Sequence, residues 1–561
     1  MKMKRNVLSG LLAGTLLGSS ILSGCGSDKE TVDYIITNAK IYTVDSLFSR
    51  AEALAVKDGR FVEVGQANTL LELYETDSLV DLEGAAVYPG LIDAHAHFYR
   101  YGLGLTEADL TGTTSFAEVL ERLKAHREEY PESPWIIGRG WDQNDWDNKA
   151  FPTRKELDEL YPETPVLLTR VDGHAALVNQ RALELAGIDA GTSILGGKVI
   201  VEAGKPTGVL VDNAIDLVSH HIPEPNRKQQ IQTLLQAQEN TFAVGLTTVD
   251  DAGLEKATVD LIDSLQKAGA LKMRVYAMLN PSETNKAYYF ENGPYVTDHL
   301  SVTSFKVYGD GALGSRGANL LEPYHDDPKN YGFLLRTPEA YAALAEEIHA
   351  NDFQMNTHAI GDSANRTLLN IYSKVLEKDN DRRWRIEHAQ VVAPVDLDIF
   401  GEYNIIPSVQ PTHATSDMYW AADRLGDERV KTAYTYQDLL EATGMLALGS
   451  DFPVEHINPL YGFHSAVARK DAEGFPEGGF QPENKISRED ALRGMTIWAA
   501  YSNFEEDIKG SIEAGKLADF VVLEKDIMEA PEEELRDIKV RFTVIGGEKV
   551  FAAPDPGNTN N

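Results

Sequence analysis

Hydrophobic and polar positions alternate in short runs at both ends of the chain. The alternating runs include residues 34–37 near the N-terminus and residues 520–523 and 540–545 near the C-terminus. Such alternation over a few residues is typical of half-buried β-strands. Because neither end has enough residues for a core of its own, the pattern predicts one small β-sandwich domain built from residues 33–88 and 510–552.

A different pattern fills the middle of the chain, where apolar stretches of strand length alternate with helical stretches. The apolar stretches lie at 247–249, 272–276, 302–307, 353–357, 385–387, 405–409 and 446–449. The helical stretches include 261–268, 338–349 and 363–376. This repetition predicts an α/β fold with parallel strands, and a (β/α)8 barrel over residues 89–509 is the most economical arrangement. Polar residues follow these strands at what would be the catalytic face of the barrel.

One connection in this pattern is too long for a simple crossover. The first barrel strand is expected near Ile92 and the second near Thr247, whereas a crossover needs only one helix. The excess residues contain further apolar runs at 135–138, 165–169 and 199–201. We therefore expect an inserted subdomain at about 105–243 that covers the mouth of the barrel.

Composition and charge exclude several classes of protein. The chain has 561 residues, 43% of them hydrophobic, and a formal net charge of −35. These proportions are typical of a folded globular protein, and the acidic balance argues against a nucleic-acid partner. One cysteine leaves no possibility of a disulfide framework or a cysteine-type zinc site. A small-molecule substrate remains the expected partner.

The N-terminus carries the pattern of an export signal. Basic residues at positions 2, 4 and 5 precede a short apolar run that ends at Leu22-Ser23-Gly24-Cys25. A cysteine after small residues resembles the lipobox of bacterial lipoproteins, so residues 1–24 are predicted to be a signal peptide, Cys25 the lipidated residue and 25–32 a tether. Such a protein is exported and anchored to the cell envelope through its lipid, at the outer membrane if the source is Gram-negative, since Gly26 follows the cysteine. The alternative is a secreted protein with a chance cysteine.

Histidine and aspartate stand at the ends of several predicted strands. His95 and His97 form a His-x-His pair in which both side chains point the same way. His358, His388 and Asp451 each end a later strand. Because the ends of parallel barrel strands meet on one face, these five residues predict a metal site.

With these residues in place, the sequence resembles the amidohydrolase superfamily and, within it, the amidohydrolase-3 (YtcJ-like) branch. The resemblance also rests on the motifs Gly140-Trp141-Asp142-Gln143, Asp172-Gly173-His174, Asp310-Gly311-Ala312-Leu313-Gly314-Ser315-Arg316, His358-Ala359-Ile360-Gly361-Asp362, Gln410-Pro411-Thr412-His413 and Gly515-Lys516-Leu517-Ala518-Asp519. It implies a (β/α)8 barrel, a terminal β-sandwich and a divalent metal, usually one or two zinc ions. By position, His95 and His97 would be first-strand ligands, and His358 and His388 would be fifth- and sixth-strand ligands. Asp451 would be the eighth-strand ligand and the proton shuttle.

Lys306 lies within an apolar strand at the fourth-strand position. Burial lowers the pKa of a lysine and frees a neutral amine, which can add carbon dioxide. The resulting carbamate bridges two metal ions in binuclear members of the superfamily, so a carboxylated Lys306 is expected as a further metal ligand. The alternative is an unmodified lysine that pairs with Asp310 or contacts the substrate.

Three further residues are expected at the mouth of the barrel. Arg316 and His174 would hold the substrate or its oxyanion, and His413 would contact the substrate. His174 could equally be a structural histidine. A homodimer is left open.

The function that follows is a metal-dependent hydrolase of a non-peptide C–N bond, of the N-substituted amide or formamide type. In it a metal-activated water attacks and Asp451 moves the proton. The alternatives are a deaminase or cyclic-amide hydrolase on the same scaffold and, in a different class, a binding lipoprotein without catalysis. Loss of metal ligands would favour the last, and none of the predicted ligands is missing.

Overall fold

The computed structural model describes residues 29–554. The predicted signal peptide and the predicted lipidation at Cys25 lie outside these residues. Among the helices of the described part, none is both long enough and apolar enough to cross a bilayer.

Eight parallel strands form the centre of the molecule, and we number these barrel strands alone as β1 to β8. They are β1 (Leu91–Ala96), β2 (Leu246–Leu254), β3 (Arg274–Leu279), β4 (Leu300–Tyr308), β5 (Gln354–Ala359), β6 (Arg385–His388), β7 (Ile406–Val409) and β8 (Ala447–Leu448). Each strand pairs in parallel with the next along the chain. The predicted barrel is thereby confirmed as a nearly closed, eight-stranded parallel sheet.

The gap between β8 and β1 is bridged by hydrogen bonds just beyond the strands. The Asp451 amide donates to the carbonyl oxygen of His95 (2.7 Å). The Asp93 carboxylate accepts from both the amide (2.9 Å) and the hydroxyl (2.6 Å) of Ser450. These contacts hold the loop that carries Asp451 against the strand that carries His95.

Helices follow the barrel strands and cover the sheet. They are Arg227–Ala243, Lys256–Lys267, Glu283–Asn292, Pro338–Ala350, Asp362–Val375, Leu397–Glu402, Pro411–Asp417, Ala421–Arg429, Tyr436–Thr443, Pro459–Ala468, Arg488–Gly494 and Ile497–Ser502. The helix Pro338–Ala350 illustrates why they form: the Thr337 side chain accepts from the Ala340 amide, proline occupies the first turn, and apolar residues on one face are buried. The predicted helices at 261–268, 338–349 and 363–376 therefore fall within observed ones, apart from a residue at their ends.

The two ends of the chain form two sheets beside the barrel. A four-stranded sheet contains Arg60–Gly65, Ala53–Lys57, Tyr34–Thr37 and Leu79–Asp81, and a six-stranded sheet contains Glu548–Ala552, Val540–Ile545, Phe520–Leu523, Ala86–Pro89, Lys40–Tyr42 and Arg50–Ala51. The strand pair Glu30–Thr31 and Tyr74–Glu75 and the helix Ala67–Leu73 complete this region. Leu54 and Phe61 from one sheet share a buried cluster with Val87 and Val522 from the other. The two sheets are thus joined by a common core.

A separate sheet of six strands lies between β1 and β2 in the sequence. Its order is Ala108–Asp109, Ile136–Trp141, Val166–Arg170, Ala175–Val178, Lys205–Asp212 and Gly197–Glu202. The helices of this segment are Phe98–Gly104, Phe116–Glu129, Lys155–Leu160, Gln180–Ala186 and Asn213–Ser219. The segment has buried clusters of its own, around Leu168 and around Leu210.

Candidate active site

The carboxyl ends of β1, β5, β6 and β8 converge on one point. His95 lies on β1 and has no exposed surface, and His97 is the first residue after that strand. His358 is on β5, His388 ends β6, and Asp451 lies three residues beyond β8. The structure therefore brings His95, His97, His388 and Asp451 together, although they are separated by up to 356 positions in the sequence. His358 lies beside them, and its Nε2 is 3.4 Å from the carbonyl oxygen of Gly311.

The first-strand histidines are each oriented by a hydrogen bond at Nδ1. His95 Nδ1 lies 2.5 Å from Oε2 of Glu387, and His97 Nδ1 lies 2.9 Å from the carbonyl oxygen of Ala252. Because both partners can only accept, the proton stays on Nδ1 and the Nε2 lone pair is free. These Nε2 atoms face Asp451 Oδ1, at 3.5 Å from His95 and 3.1 Å from His97.

His388 and His358 lie next to each other in this cluster. Their ring centroids are 4.5 Å apart, and the His388 ring is 4.9 Å from that of His95. His388 Nδ1 is buried without a hydrogen-bond partner among residues 29–554. Burial lowers the pKa of both rings well below the usual histidine value, so both are neutral. A neutral imidazole with an unsatisfied, buried nitrogen is suited to binding a metal.

Asp451 stands between the two groups of histidines. Its backbone has a φ of +62° and that of His388 a φ of +74°, a conformation that non-glycine residues seldom adopt outside functional sites. Burial opposes ionisation of Asp451, but the hydrogen bond from His413 outweighs it and holds the pKa of the carboxyl well below its usual range. Asp451 is therefore a carboxylate.

Lys306 on β4 is fully buried beside these residues. Its Nζ lies 3.0 Å from His95 Nε2 and 4.7 Å from the centre of the Tyr308 ring. Burial lowers its pKa, which favours the neutral amine. The Asp310 carboxylate, the suggested alternative partner, instead accepts from the backbone amides of Ile360 (3.0 Å) and Gly361 (2.9 Å).

The donor set fits a divalent cation. One group of potential ligand atoms comes from His95, His97 and Asp451, and a second comes from His388, His413 and Asp451. Each group lies within 4.8 Å, and the two share Asp451. Imidazole nitrogens around one carboxylate are a donor set that suits zinc and similar metals.

His413 is in direct contact with the carboxylate at the middle of this centre. Its Nε2 is 3.4 Å from Asp451 Oδ2 and its Nδ1 is 3.2 Å from Glu455 Oε1. Burial opposes its protonation, but hydrogen bonds to these two carboxylates raise the pKa of His413 well above the usual histidine value.

His174 reaches the same space from the segment between β1 and β2. Its ring centroid is 4.9 Å from that of His358, and its Nδ1 is 2.6 Å from Asp212 Oδ1. The structure thus places His174 in the wall of the same cavity.

Arg316 is placed differently from the expectation. Its guanidinium donates two hydrogen bonds to Asp326, at 3.1 and 2.7 Å, and Arg316 is not among the residues that line the central cavity. Its role in substrate binding stays a prediction, with no contact to the cavity to support it.

These residues open into a cavity of about 1060 Å³. Its wall includes polar side chains that the sequence analysis did not single out: Arg139, Asp145, Asp216, Tyr308, Asp417 and Glu455. Tyr308 could have been found from its position two residues after Lys306 on one strand, since alternate strand residues share a face. Arg139 offered no comparable signal, because its position depends on how the segment between β1 and β2 folds over the barrel.

Comparison with known proteins agrees with this geometry. Residues 78–551 match the model of the amidohydrolase family. The chain belongs to the amidohydrolase family. Protein LONG AFTER FAR-RED 3 of Arabidopsis thaliana is 35% identical over 92% of this chain and 91% of its own length. YtcJ of Bacillus subtilis (strain 168), named as an amidohydrolase, is 32% identical over 91% of this chain and 98% of its own.

Two further similar proteins have names that state a chemistry. The N-substituted formamide deformylase of Arthrobacter pascens is 28% identical over 92% of this chain and 97% of its own. The crystal structure of an uncharacterised metal-dependent hydrolase from Pyrococcus furiosus is 28% identical, with a TM-score of 0.70, over 88% of this chain and 100% of that one. The chain is therefore a hydrolase of the amidohydrolase family whose histidine and aspartate groups are suited to a divalent metal.

Proposed function

We propose that this amidohydrolase hydrolyses a non-peptide C–N bond in a small molecule, of the N-substituted amide or formamide type. The observation that carries the proposal is the convergence of His95, His97, His388 and His413 on the Asp451 carboxylate at the wall of a cavity lined by polar residues. The formamide deformylase named above supports the type of bond. It does not identify the substrate.

We propose His95, His97, His358, His388 and Asp451 as metal ligands, with zinc as the metal. A bound divalent metal would polarise the substrate carbonyl and lower the pKa of a bound water. A carboxylated Lys306 would hold a second ion, and the buried, pKa-lowered amine supports that modification.

The proton transfers would belong to Asp451. Its carboxylate is ionised and lines the cavity, so it would be placed to accept the proton of the attacking water. The same carboxylate would then pass that proton to the leaving nitrogen. His413, held between Asp451 and Glu455, would stabilise the negative charge of Asp451 before the transfer. His174 at the opposite wall would contact the substrate carbonyl or its oxyanion.

A substrate screen tests the proposal. Purified protein without residues 1–24 would be loaded with zinc and assayed on N-formyl amines, N-acyl amines, hydantoins, lactams and aminopurines. We expect turnover of N-formyl or N-acyl amines that disappears on chelation and returns with added zinc. Turnover of cyclic amides or aminopurines alone would favour the alternative hydrolase or deaminase. Less than half an equivalent of bound metal, with no activity on any compound of the panel, would contradict the proposal that the protein is a metal-dependent enzyme.

The domain limits and the location are also proposals. We propose a terminal β-sandwich (33–88 with 510–552) and a barrel (89–509) with its insertion at about 105–243. The shared core of the terminal sheets and the independent clusters of the inserted sheet support these limits. We further propose export and lipid anchoring at Cys25.

A further inference from the structure

His174 and Asp212 form a pair at the ends of two neighbouring strands in the segment between β1 and β2. His174 Nδ1 lies 2.6 Å from Asp212 Oδ1, and the Asp212 amide donates to the carbonyl oxygen of His174 at 3.0 Å. The side chain of Asp212 is 1% exposed and that of His174 is 15% exposed. One backbone hydrogen bond and one side-chain hydrogen bond therefore join the two residues.

The backbone of Asp212 has a conformation that glycine normally supplies. Its φ is +49° and its ψ is −128°, close to the first central residue of a type II′ turn. A residue with a side chain loses free energy in such a conformation, and positions of this kind cluster at functional sites. What aspartate adds to this position over glycine is its carboxylate.

Two glycines of the loop after β4 make room for that carboxylate. A Cβ atom at Gly311 or at Gly317 would lie 2.5 Å from Asp212 Oδ2, which is too close for atoms that are not bonded. Neither glycine has a positive φ, so the backbone itself does not require glycine there. The close approach of Asp212 does require it. The carboxylate therefore sits in a two-glycine cleft that joins the segment between β1 and β2 to the barrel.

His174 extends from this anchored pair into the wall of the cavity. Its ring centroid is 4.9 Å from that of His358 and 6.5 Å from that of Tyr308. Its own amide donates to Asp172 Oδ1 at 3.0 Å, which fixes the main chain on the other side. Because a carboxylate can only accept, Asp212 keeps the proton on Nδ1 and leaves Nε2 as the ring nitrogen available to a ligand.

We propose that Asp212 is the positioning residue of His174, seated in the Gly311–Gly317 cleft and fixing both the tautomer and the orientation of the His174 ring at the substrate. The two residues then act as one unit, and losing either has the same consequence. The proposal deepens the proposed function and rests on it for the contact between His174 and the substrate. The hydrogen bond between the two residues can be measured without turnover.

A double-mutant cycle tests whether Asp212 acts through His174. The ratio kcat/KM is measured with zinc-loaded protein on a substrate that the wild type hydrolyses. Asp212→Asn keeps the shape of the side chain but can donate as well as accept, and we expect it to lower kcat/KM by about 10-fold or more. In the His174→Ala background the same substitution should change kcat/KM by less than about twofold, because its partner is already absent.

Asp158→Asn is the matched control for this cycle. Asp158 belongs to the same segment, accepts from the Gln180 amide at 2.6 Å and does not line the cavity, so its loss should change kcat/KM by less than about twofold. Losses that multiply in the double variant would mean that Asp212 acts through another contact, and they would overturn the proposal. A fall in bound zinc in Asp212→Asn would overturn it as well, because the carboxylate would then support the metal centre.

Gly317→Ala tests the cleft from the barrel side. The added methyl group would collide with Asp212 Oδ2 without straining the backbone. We expect the same loss of kcat/KM as in Asp212→Asn, and no further loss in the His174→Ala background. Gly104→Ala is the control, because its Cβ would have no atom within 4 Å. Wild-type kcat/KM in Gly317→Ala would show that the cleft does not hold the carboxylate in place.

Proton NMR of the zinc-loaded protein gives a readout that needs no substrate. A charge-assisted hydrogen bond shifts an imidazole N–H resonance downfield. We expect one such resonance in the wild type that is absent from His174→Ala and is moved or lost in Asp212→Asn. Its persistence unchanged in Asp212→Asn would refute the pairing. Absence of turnover on every compound, with the NMR result as expected, would count against the proposed reaction and not against Asp212.

Thermal unfolding of each variant checks that the protein is folded. If Asp212→Asn does not fold, Asp212→Gly takes its place, because glycine suits the backbone at this position and removes the carboxylate completely. The same loss of kcat/KM and the same loss of the N–H resonance are expected of it. A folded Asp212→Gly with wild-type kcat/KM would overturn the proposal.

Discussion

Replacing Glu387 by glutamine tests whether the buried carboxylate next to His388 sets the metal affinity. Glu387 and His95 have no exposed surface, and Glu387 Oε2 lies 2.5 Å from His95 Nδ1. A carboxylate can only accept, so it fixes the proton on Nδ1 and leaves Nε2 free to bind metal. Glutamine has nearly the same shape but can donate or accept. The substitution therefore removes both the charge and the fixed tautomer.

The size of the effect follows from the change of acceptor. A hydrogen bond to a charged group contributes about 1.5–3 kcal/mol and a neutral one about 0.5–1.5 kcal/mol. The difference of about 1–1.5 kcal/mol corresponds to roughly tenfold in an equilibrium constant. Outer partners of metal-binding histidines commonly affect affinity by about 10–100-fold. We expect zinc to bind Glu387→Gln roughly 10–30-fold more weakly than the wild type.

Competition with a fluorescent zinc chelator measures this affinity directly. The control is Glu347→Gln, which makes the same chemical change on the barrel helix Pro338–Ala350, where the carboxylate is 41% exposed and pairs with Lys286. Glu347→Gln should leave the zinc affinity unchanged. If Glu387→Gln is folded and binds zinc within twofold of the wild type, the assignment of Glu387 as the residue that orients His95 is wrong.

Four further predictions concern other parts of the molecule. Asp451→Asn should lower kcat/KM by about 10²–10⁴ at saturating zinc, measured on any substrate that the wild type hydrolyses, because the proton acceptor is lost. Lys306→Met should remove one equivalent of metal in elemental analysis and the carbamate carbon signal in ¹³C NMR of bicarbonate-labelled protein. Asp250→Ala should lower the free energy of unfolding by about 3–5 kcal/mol in urea denaturation, because Arg385, 2.9 Å away and fully buried, would lose its counter-charge. Cys25→Ser should move the protein from the membrane fraction to the soluble fraction of the producing cells.

Each of these four predictions would be contradicted by a specific result. Near-normal kcat/KM in Asp451→Asn would exclude that residue as the base, and unchanged metal content in Lys306→Met would exclude the carbamate. A loss below about 1 kcal/mol in Asp250→Ala would mean that Arg385 finds compensation from carbonyl oxygens and Asn503. An unchanged membrane fraction for Cys25→Ser would exclude the lipid anchor.

The barrel and its metal ligands could be predicted because they depend on local patterns. Short apolar runs fix where strands form, and the ends of parallel strands meet on one face. This rule was enough to predict that His95, His358 and His388 lie near one another. The segment between β1 and β2 was harder, since Lys205–Asp212 pairs with Ala175–Val178 across the intervening helix Gln180–Ala186, and this pairing depends on tertiary contacts.

Arg316 shows that the position of a residue in a motif is insufficient to predict where its side chain points. The stretch 310–316 lies at the barrel mouth as expected, but the side chain at its end turns to Asp326, ten residues later, rather than into the cavity. Conversely, Arg139 reaches the cavity from a strand that sequence alone places only in an insertion. In both cases the orientation of one side chain depends on contacts that form only in the folded chain, an ion pair with Asp326 for Arg316 and a hydrogen bond to the Val171 carbonyl oxygen for Arg139.

The barrel and the segment between β1 and β2 supply different groups to the site, and this has a consequence for substrate specificity. Every candidate metal ligand lies on a barrel strand or on the loop directly after one, and the partners that orient His95 and His97 belong to the barrel as well. Arg139 and His174, in contrast, belong to the segment between β1 and β2. Changes in that segment can therefore alter which substrate is held without disturbing the groups that hold the metal. A His174→Ala variant and the Glu387→Gln variant should accordingly separate, the first changing substrate binding at constant zinc affinity and the second changing zinc affinity at constant substrate preference.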